Sequence, residues 1–118
     1  LELLIMATKW VIKIQRGATY RSTVTVTGIA DISTASLWRI RIGRPDGVNI
    51  LTATTANGMI VAGASANQKI IVIPAETTAS LIAGQYLFDF DIEWTTGTVR
   101  VERLYSLGEC AIGDRVPT

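Results

Sequence analysis

Residues 85–94 read QYLFDFDIEW, and this stretch decides the fold. Large apolar side chains recur at Tyr86, Phe88, Phe90, Ile92 and Trp94, with acids between them at Asp89, Asp91 and Glu93. A strict period of two predicts a strand with one apolar and one polar face. Tyr86, Phe88, Phe90 and Ile92 are expected in a core, with Trp94 near its rim. Asp89, Asp91 and Glu93 are expected as a straight, water-facing row, with about 6.5–7 Å between neighbouring acids.

A straight row is poor chemistry. Calcium takes six to eight oxygens converging from several directions, which one strand face cannot supply. The spacing permits the two carboxyls of an inverting glycosidase, at about 6.5–9.5 Å. An open sheet face, however, offers no cleft and no means of raising one pKa. The natural partners of the acids are Arg39 and Arg41, which stand in one row in LWRIRIGR (37–44), and Arg100 just past the next turn. Opposite charges across strands would set register modestly, at about 0.2–1 kcal/mol per pair. Which strands are neighbours is not written in the residues. With the acids solvated, Asn at Asp89 and Asp91 is expected to leave folding nearly intact.

Outward from this strand the chain reads as β almost throughout. KWVIKIQ (9–15), YRSTVTVT (20–27) and LWRIRIGR (37–44) alternate, with breaks at RGAT (16–19) and at the connection GIADISTAS (28–36). In that connection Asp31 is expected to cap one helical turn, with Ile32 as its apolar plug. RPDG (44–47) and Asn57-Gly58 are strong turn signals flanking NILTAT (49–54), and MIVAG follows. AETTASLIAG (75–84) resembles a short helical turn anchored by Leu81 and closed by Gly84. After the TTGT turn (95–98), VRVERLYSL (99–107) places Val99, Val101, Arg103 and Tyr105 on one parity, and ECAI (109–112) reads as a final short strand. About seven or eight short strands without a long helix predict an all-β fold, an antiparallel β-sandwich.

Composition narrows the chemistry. The 118 residues suit one domain with a core of its own, expected over 9–116. Eleven basic against ten acidic side chains leave a net charge of +1, which makes no case for nucleic acid or an anionic membrane. The basic cluster Arg39, Arg41 and Arg44 lacks interleaved stacking aromatics, so it reads as the polar face of a strand. The sequence contains no histidine, which removes histidine-based triads, dyads and zinc sites. The single Cys110 reads as a small buried hydrophobe. No phosphate-binding glycine motif and no nucleophile–base combination is present, so no cofactor, metal or catalytic residue is expected. No apolar run approaches the ~18 residues of a membrane span.

Two apolar elements ask for cover. In KIIVIPA (69–75), Ile71 and Ile73 fit an inward face, yet Ile70 and Val72 make the other face apolar too. A strand apolar on both faces is covered twice or lies in an interface, here by a neighbouring subunit or a loop of the same chain. The opening LELLI, with Leu1, Leu3, Leu4 and Ile5, reads either as an upstream extension before Met6 or as an apolar arm over 1–8 that docks on this domain or a neighbour. Together they point to assembly.

The order of these motifs resembles a family of small phage virion β-sandwich domains, found in tail and baseplate proteins. They include the immunoglobulin-like amino-terminal domain of siphophage upper baseplate proteins. The resemblance runs from WVIKIQ, Gly17-Ala18-Thr19 and YRSTVTV through DIST (31–34), WRIRIGR and NGMIV (57–61). It is most specific in IVIPAETTASLIAGQYLFDFDIEW and continues through GTVRVERLYSLGE, covering residues 9 to about 116. LELLI and the doubly apolar KIIVI depart from the usual pattern.

The resemblance implies an immunoglobulin-like sandwich and a non-enzymatic structural role in the virion, in the tail, baseplate or adaptor region. Its partners would be copies of itself and other phage structural proteins. Capsid decoration is the alternative. A glycan-binding module is the second alternative, with Trp94 near the TTGT turn as its candidate platform. The candidate interface comprises Leu1, Leu3, Leu4, Ile5, Ile70, Val72, Arg39, Arg41, Asp89 and Asp91.

Overall fold

The structure is a computed structural model and describes residues 10–114. Leu1, Leu3, Leu4 and Ile5 lie outside the described residues. Eight strands follow in order: β1 Val11–Gln15, β2 Tyr20–Thr25, β3 Leu37–Gly43, β4 Asn49–Thr54, β5 Ile60–Ala62, β6 Gln68–Ile73, β7 Gly84–Trp94 and β8 Arg100–Gly113. A 3-10 turn spans Ile32–Thr34, and one short helix, α1, spans Ala75–Ala79. The strands form two sheets, β1-β8-β7-β3-β4 and β2-β6-β5.

The alternation read from sequence builds both inner faces. Ile12, Ile14, Trp38, Ile40, Ile42, Phe88, Phe90 and Ile92 come from the larger sheet, and Ile71 and Ile73 from the smaller. All are buried in one core. Trp10 closes one side, edge-on to Phe88 with ring centroids 4.9 Å apart.

β2, β6 and β5 stand where an immunoglobulin sandwich has strands B, E and D, while β8, β7, β3 and β4 stand as G, F, C and C′. A tyrosine corner completes the likeness. Tyr86, at the start of β7, donates its hydroxyl proton to the carbonyl of Ile82 at 2.6 Å. Two residues on, buried Phe88 takes the place that antibody domains give to a disulfide cysteine.

The sandwich is antiparallel as expected apart from one pairing: β1 pairs with β8 in parallel, Val11 opposite Glu109 through Gln15 opposite Gly113. The reason is the break at 16–19. It carries the chain across to the smaller sheet instead of folding it back as a hairpin. Thr78 of α1, fully buried, pins this crossing. Its hydroxyl accepts the Gly17 N–H at 3.1 Å and donates to the Ala18 carbonyl at 2.8 Å.

Three local expectations also change. α1 ends at Ala79 with Ser80 as its C-cap, and Gly84 opens β7 rather than closing the helix. VRVERLYSL and ECAI join into one fourteen-residue strand. That strand carries two bulges against β7: Asp91 pairs Arg103 but Phe90 pairs Tyr105, and Phe88 pairs Gly108. Each bulge adds one residue to β8 and resets its parity. Val101 and Arg103 therefore face outward with Glu93 and Asp91, while Leu104 is buried. The return to register needs Gly108. A Cβ there would come within 2.7 Å of Tyr105 Cε2 and would overlap the Phe88 ring.

Candidate functional site: an arginine–carboxylate lattice

The outer face of the larger sheet is built by register. Arg39 on β3, Asp91 on β7 and Arg103 on β8 lie in one row across three adjacent strands. Arg41 lies opposite Asp89 in the next row, and Leu37 opposite Glu93 in the one before. The arginines expected as partners of the acids are thus on the neighbouring strand.

Asp91 is not solvated. It is only 2% exposed, which corrects the water-facing row. Arg103 Nε donates to Asp91 Oδ1, and Arg103 Nη2 to Oδ2 at 3.4 Å. Arg41 Nη2 stands 3.8 Å and Arg39 Nε 4.0 Å from the same Oδ2. Arg39 also donates to Glu93 Oε1 at 3.0 Å, and Arg103 Nη1 stands 3.6 Å from Asp89 Oδ2. Asp89 Oδ1 accepts the N–H of Leu107 at 3.2 Å. The acids are faced by the chain's own guanidinium groups, neither by water alone nor of necessity by another subunit.

Three arginines around one buried carboxylate tie β3, β7 and β8 together. Both Asp91 oxygens are occupied, so neither is free to hold a cation. Among the described residues, no group of three or more Cys, Asp or Glu side chains is arranged for a metal ion.

A second cluster sits at the end of the sandwich. Arg100 grips Asp31 with two nitrogens, Nη1 to Oδ2 at 2.9 Å and Nη2 to Oδ1 at 2.8 Å. Its guanidinium carbon lies 3.7 Å from the centroid of the Trp94 ring, while Trp94 Nε1 donates to the Asp31 carbonyl at 3.2 Å. The guanidinium beside Asp31 holds its carboxyl below the usual carboxylate range. This corrects two expectations. Asp31 precedes the 3-10 turn but makes no side-chain cap, its carboxylate being taken by Arg100. Trp94, 2% exposed and roofed by Arg100, is no platform for a sugar.

On the smaller sheet, Ile71 and Ile73 point into the core, and Ile70 and Val72 are half-buried on the outer face. Val61, paired with Ile70, is exposed. Cys110 is fully buried, and burial pushes its thiol up to about 12.

Sequence reading missed Arg103 and Leu107. Leu107 is the one non-glycine residue with positive φ among the described residues, at 55°, and is 72% exposed. It borders a hollow of about 180 Å³ lined also by Arg41, Pro45, Asn49, Leu87 and Asp89. The mismatch in length between β7 and β8 held the signal, but only a known pairing makes it readable.

No protein-family model matches this sequence, and no curated protein matches it significantly.

Proposed function

We propose that this domain is a non-enzymatic structural protein of a phage virion, assembling through its sheet faces with copies of itself and other structural proteins in the tail, baseplate or adaptor region. The observation that carries the assembly part is the distribution of apolar side chains on both outer faces. Val101 and Leu107 stand exposed on the larger sheet, and Val61 stands exposed beside half-buried Ile70 on the smaller. Covering these positions with another protein surface would remove apolar area from water, which is favourable. Support for a virion comes from the motif order, DIST through QYLFDFDIEW, that resembles phage virion sandwiches.

The lattice around Asp91 fits this reading. Its charges are already compensated inside the chain, so covering the face does not strand an isolated ion. The glycan-binding alternative loses its platform with the burial of Trp94.

The test is quantitative mass spectrometry of purified particles. The chain should be present in a multiple set by the symmetry of its site. Presence only in infected-cell lysate, and never in particles, would sink the reading. Labelling the chain in intact particles then separates tail, baseplate or adaptor from the capsid surface.

A further inference from the structure

We propose that the outer face of the larger sheet is a two-fold interface between two copies of this chain, centred on the hollow beside Leu107. This inference rests on the reading of the domain as an assembling unit and names the surface and the partner.

Leu107 is the first observation. A leucine in the left-handed region is strained, and such strain persists only where the surroundings impose it. Here the β8 bulge and the bond from its N–H to Asp89 impose it, and they hold an apolar side chain out in water. That side chain takes no part in the hydrophobic core.

The second observation is the hollow it borders. Leu107 stands on the β8 side, with Pro45 and Asn49 on the β3–β4 side and Asp89 and Arg41 between. A two-fold axis between Asp89 and Arg41 exchanges the two ends. Each Leu107 then reaches the Pro45–Asn49 end of the other copy, and each Asp89 faces the other copy's Arg41. Knob and hollow are used at once, which is the self-complementarity an isologous contact requires. An unrelated partner would need one or the other.

Charge points the same way. Arg41 and Asp89 are opposite each other in register, yet their recorded ion pairs run to Asp91 and to Arg103. The Arg41 side chain remains 42% exposed and that of Asp89 31% exposed. Both halves of a cross-strand pair are therefore presented outward, and a second copy in two-fold orientation offers each its opposite.

Area is adequate. With the axis between β3 and β7, β3 lies over β7 and β4 over β8 of the other copy while β1 overhangs, so four strands about 4.8 Å apart and roughly 30 Å long, at about 3.3 Å of rise per residue, give a shared face of roughly 570 Å². Two copies would bury roughly 1,100 Å², at the low end for specific interfaces and in keeping with a concentration-dependent dimer.

The test is sedimentation of the full chain across a range of concentrations. A concentration-dependent dimer is expected. Leu107→Asp should weaken it by at least about tenfold, the expected effect of withdrawing a leucine from an apolar contact. Leu107→Gly, which suits the positive φ, should weaken the dimer without lowering the melting temperature of the monomer, separating interface from folding. Ile70→Asp, on the opposite sheet, should leave the dimer intact. A chain monomeric at every concentration, a Leu107→Asp dimer as tight as the parent, or a dimer abolished by Ile70→Asp alone would each overturn the proposal. A dimer in solution with the chain absent from particles leaves this interface standing and removes the virion reading; a monomer present in particles does the reverse.

Discussion

Arg103 on β8 holds the carboxylate of Asp91 on β7 through two nitrogens, Nε to Oδ1 and Nη2 to Oδ2. The pair lies side by side in register, under the flank of Arg39 from β3. Asp91→Asn therefore leaves three guanidinium groups around a neutral side chain. Removing one partner of a fully buried pair costs about 3–5 kcal/mol. Arg41 and Arg103 are close to half exposed, so solvent screening reduces the expected loss to about 1–3 kcal/mol. Asp89→Asn, at a more exposed carboxylate, should cost under about 1 kcal/mol. Urea unfolding of the two variants checks the order, and equal losses would contradict the burial of Asp91.

Gly108→Ala tests the bulged hairpin. The new methyl would press on the rings of Phe88 and Tyr105, which stack with centroids 5.4 Å apart. Overpacking at a rigid aromatic pair should cost about 3 kcal/mol. Thermal unfolding reads it, and Phe88→Leu in the same chain should recover part of the loss by vacating the space.

Tyr86→Phe removes the hydroxyl that closes the corner onto Ile82 and strips the Ile82 carbonyl of that donor. About 1 kcal/mol of stability should go with it, the usual worth of one intramolecular hydrogen bond. Proteolysis of the 80–84 segment should quicken, because the bond ties that loop to β7.

Stability should fall on both sides of neutrality. Asp31, beside Arg100, and Asp46, beside Arg44, have folded pKa values below their ordinary 3.8. A depressed folded value stabilises above the unfolded pKa and loses that contribution as pH falls through the folded one, so acid weakens the fold below about pH 4. Cys110 moves the other way, from an ordinary 9.0 to about 12, because burial penalises its thiolate, and burial likewise raises Tyr20. The raised groups stabilise fully below their unfolded values, and the contribution is lost as pH climbs from about 9 toward 12. Urea midpoints at about pH 3, 7 and 10 should trace this dome. At neutral pH a thiol reagent should modify Cys110 only as fast as the chain opens.

Local rules reached some parts of this molecule and not others. Alternation within one strand identifies Phe88, Phe90 and Ile92 as core, because side-chain direction in a strand depends only on parity. The same rule misassigned Asp91. Parity gives the face but not what lies beside it, and Arg39 and Arg103 come from strands distant in sequence. It also failed along β8, where extra residues at Leu104 and before Gly108 break the count. Trp94 was placed at the rim by its position at a strand end. Its burial depends on Arg100 and Asp31, brought together from opposite ends of the described chain. The parallel seat of β1 was hidden for the same reason, since its partner β8 is the last of the described strands.

That seat has a consequence for the order of events on the ribosome. β7 and β8 can zip as a hairpin as soon as both have emerged, but β1, the first of the described strands to be made, finds its place only against β8, the last of them. Closing so long a loop is slow, and folds dominated by such distant pairings reach the native state in milliseconds to seconds rather than microseconds. Until β8 emerges, Ile12 and Ile14 therefore travel as an unclaimed sticky strand. A chaperone that recognises short apolar segments should find them there and release them when β8 arrives.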